Sequence, residues 1–269
     1  MGPLHLTYGA DLIGVIIAAF FRGVLTMQAF TYYSDCPEDY TIFKILVALL
    51  WSLDLTHLVL ISQATFHYLV VNFGNYAALA ITIPEAQLHL VFVALPTLLC
   101  QVFFLYRIWI ISNHNFPVVG FLVLGCLGVT ALDIAIVAEV LIYPMFKVAT
   151  GHYPAIPAQT LATFVLGAVV DVAVALTMKD AVQKMVSSNW RPFSTNSIIM
   201  RVMHFTVITR LATSLLAVGC IIAYVASPET FIFMAFHYSL GRAYTNAVLA
   251  RRVPLLYVAT PPNLANPQV

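Results

Sequence analysis

The chain has 269 residues, of which 61% are apolar and only 9% charged, and its formal net charge is +1. Soluble domains carry about 25% charged residues, so this composition excludes an ordinary water-soluble fold and calls for lipid as solvent. The near-neutral balance also excludes a nucleic-acid partner recognised through a basic surface.

Windows of about 20 apolar residues, broken by Pro, Asn, Gly and charge clusters, predict seven membrane helices. They fall near 10–32, 42–70, 87–111, 117–142, 158–178, 199–226 and 229–250. The breaks are SDCPEDYT, NFGNYAAL, SNHNFP, the stretch 143–157, KDAVQKMVSSNWRPFSTNS and ASPET. The N-terminus lacks a basic region before its first apolar run, so a retained first span is expected instead of a cleaved signal. The expectation is an all-α integral membrane seven-helix bundle over residues 1–252, followed by a C-terminal tail at 253–269.

Basic residues set the orientation. Lys44, Lys179, Lys184, Arg191, Arg251 and Arg252 fall on one side, with Arg107 and Arg201 at its edge, against Lys147 alone on the other. The positive-inside rule then puts the N-terminus outside and the C-terminal tail in the cytoplasm. Whether the membrane is the plasma membrane or an endomembrane stays open. Tyr32, Tyr33, Tyr40, Trp109, Tyr143, Tyr153 and Trp190 read as an interfacial aromatic belt. Arg107 reads as a helix C-terminal cap or a contact to lipid phosphate.

The second span, containing LLWSLDLTHLVL (49–60), carries the most informative charges. Counting 1.5 Å per residue, Asp54 lies near mid-depth, and Arg22, Arg210 and Arg242 fall at similar depths. Asp171 sits toward the cytoplasmic side and Asp133 toward the outer side. Each would cost at least about 2.5–3.5 kcal/mol against lipid at a helix centre. Pairing inside a bundle is therefore expected, with Asp54 joined to Arg210 or Arg242, and Arg22, His57 and Asp171 in the same buried network. Asp54, His57, Ile61, Thr65 and Tyr68 share one helical stripe; Ser52, Thr56, Gln63 and His67 share another, roughly opposite. Two polar stripes predict protein on both sides and a central place for the second span.

Four blocks together carry a family likeness: LWSLDLTHLVLISQATFHYLVVNFGN (50–75), FFLYRIWIISNHN (103–115), IIMRVMHFTVITRLATSLLAV (198–218) and FHYSLGRAYTNAVLA (236–250). In this order the chain resembles an uncharacterised seven-span membrane protein family of mushroom-forming (basidiomycete) fungi. The resemblance implies the seven-helix fold and a fungal membrane, without an activity. It points to Asp54, His57, the Tyr68–Asn75 segment, Arg107–Trp109, Tyr244 and Asn246. The chain departs from the family pattern at SSNWRPFSTNS in the fifth loop and at ARRVPLL after the seventh helix.

Several chemistries can be weighed. Retinal binding needs a lysine within a helix, and Lys44, Lys147, Lys179 and Lys184 lie at span ends or in loops. The eight histidines do not form the boxes of di-iron enzymes, and Cys36, Cys100, Cys126 and Cys220 have no metal-ligand spacing, so no metal and no cofactor is predicted. An acid-catalysed intramembrane enzyme acting on a lipid or terpenoid would use Asp133 or Glu139 as its acid. A proton-coupled transporter would line a path with Asp54, Asp171 and Arg210 and use His57. The leading expectation is a receptor-like protein binding a small apolar or amphipathic ligand in the outer half. His89, Asp133, Glu139 and His237 form that pocket in this reading. Membrane lipid and a cytoplasmic partner at the 179–198 loop are the other expected partners.

Overall fold

The computed structural model describes residues 7–75, 78, 83–112, 115–142, 156–187, 193–227 and 230–249. These form seven α-helices: α1 (Tyr8–Asp35), α2 (Thr41–Phe66), α3 (Pro84–Ile111), α4 (Phe116–Ile142), α5 (Ile156–Ser187), α6 (Phe193–Ala226) and α7 (Ile232–Leu249). Six are long and apolar enough to cross a membrane. The chain is thus a multi-pass helical membrane protein by length and composition.

The exception is α7, whose 18 residues are enriched in polar groups because the helix lies inside. Tyr238, Ser239, Arg242, Tyr244 and Thr245 are all buried. At about 1.5 Å per residue, 18 residues still cover about 27 Å, close to the hydrocarbon thickness.

The helices pack in chain order around a ring that closes with α1 against α7, while α3 reaches inward to touch α5 and α7 as well as its neighbours α2 and α4. Sequence expectation placed α2 at the centre; α3 and α7 hold that place instead. The reason is visible on the second polar stripe of α2. Ser52 and Gln63 are exposed and Thr56 and His67 half-exposed. Ser52 Oγ donates to Leu49 O at 2.9 Å and Thr56 Oγ1 to Ser52 O at 3.1 Å. Hydroxyls satisfied by their own helix need no protein opposite them.

We term the end at which α1 and α3 begin and α2 ends the N-face, and the opposite end the C-face. Near the C-face, Leu25, Ala29, Tyr32, Cys36, Val47, Leu50, Phe103, Phe104 and Val248 form one apolar core. Tyr32 belongs to it, with its hydroxyl on Asp39 at 2.9 Å, so it is not an interfacial belt residue; Tyr33 and Tyr40 are exposed. A second core joins α3, α4 and α5 through Ile108, Leu122, Val129, Val174 and Met178. Arg107, expected to cap the end of its helix or to meet lipid phosphate, is buried away from lipid, with its guanidinium 5.9 Å from the Phe103 ring centre. An open apolar groove of about 690 Å³ runs between α1 and α2, lined by Thr26, Phe30, Tyr33, Leu49, Trp51 and Ser52.

Local sequence explains the element ends. Pro84 starts α3, where a missing N–H costs nothing, and Ile83 N–H donates to Tyr68 Oη at 3.1 Å. That start is three residues earlier than the apolar window predicts. Pro96 inside α3 removes the rung to Phe92, a loss tolerated in bundles where neighbours cover the freed carbonyl. α2 ends in one π-helical turn, His67–Val71. Asn72 N–H reaches His67 O at 3.1 Å and the Asn72 side-chain amide reaches the same oxygen at 3.2 Å. Gly74, at φ +79°, then takes the chain through a left-handed turn.

The expected 179–198 loop is largely helix. α5 continues to Ser187 and α6 starts at Phe193. The interval DAVQK is a good helix former, and exposed Asp180 pairs with Lys184 one turn on, at 2.7 Å. Residues 188–192, with Trp190 and Arg191, lie outside the described residues, as do Tyr143, Lys147, Tyr153, Arg251, Arg252 and the 253–269 tail.

Candidate functional site

Two buried carboxylates organise mid-depth, and they differ in how completely they are answered. Asp171 of α5 faces an arginine, a tyrosine hydroxyl and a threonine hydroxyl that it shares with Arg210 O. Its Oδ1 accepts from Arg210 Nη1 of α6, and its Oδ2 accepts from Thr213 Oγ1 at 2.9 Å and Tyr244 Oη at 2.6 Å. The Arg210 guanidinium lies 4.0 Å over the Phe104 ring and 5.3 Å from the Tyr244 ring. One cation meets one carboxylate, with aromatic faces closing the sides.

Asp54 of α2 has two cations to serve. Arg22 Nη1 stands 3.3 Å from Oδ2 and Arg242 Nε 3.4 Å from Oδ1. Arg22 is held elsewhere too: Nη1 donates to Trp51 O at 2.6 Å and its guanidinium lies 4.3 Å over the Trp51 ring. Arg242 Nη1 donates to Tyr238 O, one turn back on α7, at 3.1 Å. The Nε and Nη2 atoms of Arg242 are buried and meet no hydrogen-bond acceptor in good geometry. Sequence reasoning allowed Asp54 either Arg210 or Arg242. Arg210 faces Asp171 across α5 and α6 instead, because α6 packs on α5 and α7 and not on α2.

Toward the N-face stands a histidine layer. His57 of α2 lies one turn from Asp54 and, with His89 of α3 and His237 of α7, surrounds Tyr238. Ring centres are 5.7 Å apart for His57–His89, 6.0 Å for His57–Tyr238, 5.8 Å for His89–Tyr238 and 6.4 Å for His237–Tyr238. Phe164 of α5 backs His237 at 5.8 Å. His89 donates Nδ1–H to Ala86 O at 2.9 Å, which leaves a lone pair on Nε2. That Nε2, His57 Nε2 and His237 Nδ1 are shielded from solvent without a hydrogen-bond partner.

Tyr238 Oη donates to Asp11 Oδ1 of α1 at 2.8 Å, and Thr65 Oγ1 of α2 donates to Asp11 Oδ2 at 2.6 Å. Above this, Tyr8, Tyr68 and Phe231 form an aromatic roof, with ring centres 5.1 and 5.4 Å apart. Among the described residues, no group of three His, Cys, Asp or Glu side chains has the geometry to hold a metal ion.

His89 and His237, two of the four expected pocket residues, therefore stand together and with His57. Asp133 and Glu139 do not join them. Both sit half-buried on α4, which packs on α3 and α5, and Glu139 Oε1 accepts from Gln159 Nε2 of α5 at 3.1 Å. Tyr238 and Asp11 were missed by sequence reasoning. Asp11 lies one turn inside α1 and reads as an end-of-span charge, and a tyrosine in an apolar run gives no signal of its own. A heptad-like comparison of α7 could have found Tyr238, since His237, Tyr238, Gly241, Arg242 and Thr245 share its inward side.

Residues 167–251 match the model of a family of unknown function, DUF6534. The matched stretch runs from mid-α5 through α7 and includes Asp171, Arg210, His237, Tyr238, Arg242 and Tyr244. No curated protein and no solved structure matches the chain.

Proposed function

We propose that this is a receptor-like, seven-span membrane protein that binds a small apolar or amphipathic ligand in the N-face half of the bundle, at His57, His89, His237 and Tyr238. One observation carries the reading: three imidazoles, each with an unanswered ring nitrogen, gathered under an aromatic roof and above a closed ion-pair layer. Buried polar atoms cost free energy when left unpaired, so a cluster of them on three helices is what a polar group of a ligand would meet. The layer beneath favours a binder over a transporter. Arg22, Asp54, Asp171, Arg210 and Arg242 are all buried, and a permeation path would need water at that depth.

In this reading the N-face looks outward, consistent with Lys44, Lys179 and Lys184, which lie at the C-face. α7 then serves as transmitter. Tyr238 stands in the histidine layer, Arg242 in the Asp54 layer and Tyr244 on Asp171, so a displacement of α7 at the ligand would be felt at both carboxylates. The four sequence blocks support assignment to the basidiomycete seven-span family, and the DUF6534 match supports the α5–α7 part of it.

Native mass spectrometry on protein purified gently from its own host tests the proposal. A reproducible small-molecule adduct, lost in the His89→Leu/His237→Leu double variant, is the expected result. A clean apo mass together with a proton flux in liposomes that Asp54→Asn abolishes would replace the binder with a transporter.

A further inference from the structure

The outer side of α2 carries a polar group that its own helix does not satisfy. Gln63 is exposed, on the same side as Ala48, Ser52, Thr56 and Val59. Ser52 and Thr56 donate their hydroxyls to their own backbone at 2.9 and 3.1 Å. Gln63 differs: among the described residues, none exchanges a hydrogen bond with its carboxamide. Depth makes that costly. At 1.5 Å per residue, Gln63 lies about 12 Å short of Val71, where the helix ends at the N-face. Exposed Phe66, Val70 and Val71 occupy the stretch between, so the surroundings at that level are apolar. Side chains lean toward the start of their helix, which for α2 is the C-face. The amide is therefore carried deeper into the apolar zone, where a polar group without a partner is unfavourable.

The chemistry of the group narrows what would answer it. A carboxamide is uncharged and carries both donors and an acceptor, so another carboxamide is its direct complement. Two copies inserted in the same direction are related by a two-fold axis along the membrane normal. That symmetry sets each residue on the axis opposite its own equivalent at equal depth. Gln63 would then meet itself and exchange two hydrogen bonds. No charge opposes the approach, because Asp54 and His57 of the same helix are buried on the inner side. Ala48, Ser52 and Thr56 are small, so two such helices can come close. The open groove between α1 and α2 extends this face toward the C-face and shares Leu49 and Ser52 with it.

We infer that the outer face of α2 is a homodimer interface, at which a second copy of this chain pairs in parallel and the two Gln63 carboxamides bond to each other. The inference stands apart from the ligand reading above and does not depend on it. It also gives the outer stripe of α2 a purpose that the single chain does not supply. The interface lies directly behind the Asp54 and His57 stripe of the same helix, so both sides of α2 meet protein in the dimer.

The test uses the full chain in liposomes of zwitterionic lipid over a wide range of protein-to-lipid ratios. Cys36, Cys100, Cys126 and Cys220 are all buried, so an introduced surface cysteine is the accessible thiol. Val59→Cys, one turn from Gln63 and exposed, should cross-link to its equivalent through a short bis-maleimide. Leu215→Cys, exposed on α6, is the control and should stay monomeric at the same dilution. Adding Gln63→Leu to Val59→Cys should raise the ratio needed for half-maximal cross-linking about tenfold. Leucine suits a lipid-facing position, so the unfolding midpoint of the diluted monomer should not fall. Three results would each overturn the inference: no cross-link at Val59→Cys at any ratio, equal cross-linking at Leu215→Cys, or a Val59→Cys cross-link that Gln63→Leu leaves unchanged.

Discussion

Gly14 of α1 packs directly on the backbone of Ala235 in α7. A Cβ added at position 14 would stand 2.8 Å from Ala235 Cα and 3.1 Å from the Tyr238 ring. A small residue here lets α1 and α7 approach closely, the usual basis of tight helix pairs in lipid. The same contact sets where Tyr238 meets Asp11, three residues before Gly14 on α1. Gly14→Leu should therefore separate the two helices and cost about 1–3 kcal/mol of stability, read as a lower unfolding midpoint in detergent. Gly23, on the same helix with open space around its Cβ position, is the control: Gly23→Leu should leave the midpoint nearly unchanged.

The two carboxylate centres predict different genetics. Removing Asp171 leaves Arg210 buried without its anion, a change that costs about 3–5 kcal/mol. Asp171→Asn should lower the unfolding midpoint steeply, and adding Arg210→Gln should recover much of it. Asp54→Asn should be rescued by Arg242→Gln and not by Arg210→Gln, because Arg210 belongs to the other centre. Double-mutant cycles on unfolding midpoints check both statements. Rescue of Asp54→Asn by Arg210→Gln would contradict the pairing described here.

How far the sequence could be read follows from which constraints are local. Helix positions were legible because a membrane span must be a long apolar run, and the seven windows agree with α1–α7 to within a few residues at most ends. The exceptions are the C-terminal end of α5 and the start of α6, where helix outlasts hydrophobicity. The buried stripe of α2 was legible as well, since helical periodicity alone puts Asp54, His57, Ile61, Thr65 and Tyr68 on one side, and all five are buried.

Partner choice was not legible. Equal depth makes Arg22, Arg210 and Arg242 equivalent from the standpoint of Asp54, and only the ring order of helices separates them. Ser52 and Thr56 misled for a related reason: a hydroxyl that bonds its own backbone looks, in sequence, like one that needs a neighbour. His57, His89 and His237 converge from three helices far apart in the chain, so no spacing rule could announce them. Arg107 shows the same limit at the C-face, where an arginine near a span end reads as a helix cap or a lipid-phosphate contact and is in fact enclosed.

Cys36 offers a prediction in the turn between α1 and α2, outside the spans. It packs into the C-face core at 3% exposure, and its N–H donates to Tyr32 O at 3.0 Å. Burial, followed by the charges of Asp39 and Asp35, pushes the thiol up from its ordinary value. A raised value means less thiolate at any given pH, and thiolate is the reactive form. Native protein at pH 7.5 should therefore label with N-ethylmaleimide at Cys36 more than about tenfold more slowly than detergent-unfolded protein, followed by peptide mass spectrometry. The rate should rise with pH beyond the range where an ordinary cysteine has levelled off. Asp35→Asn removes one of the two opposing charges at an exposed position and should speed native labelling. An unchanged rate in that variant, with labelling as fast as in the unfolded chain, would mean that the turn does not hold Cys36 against the core.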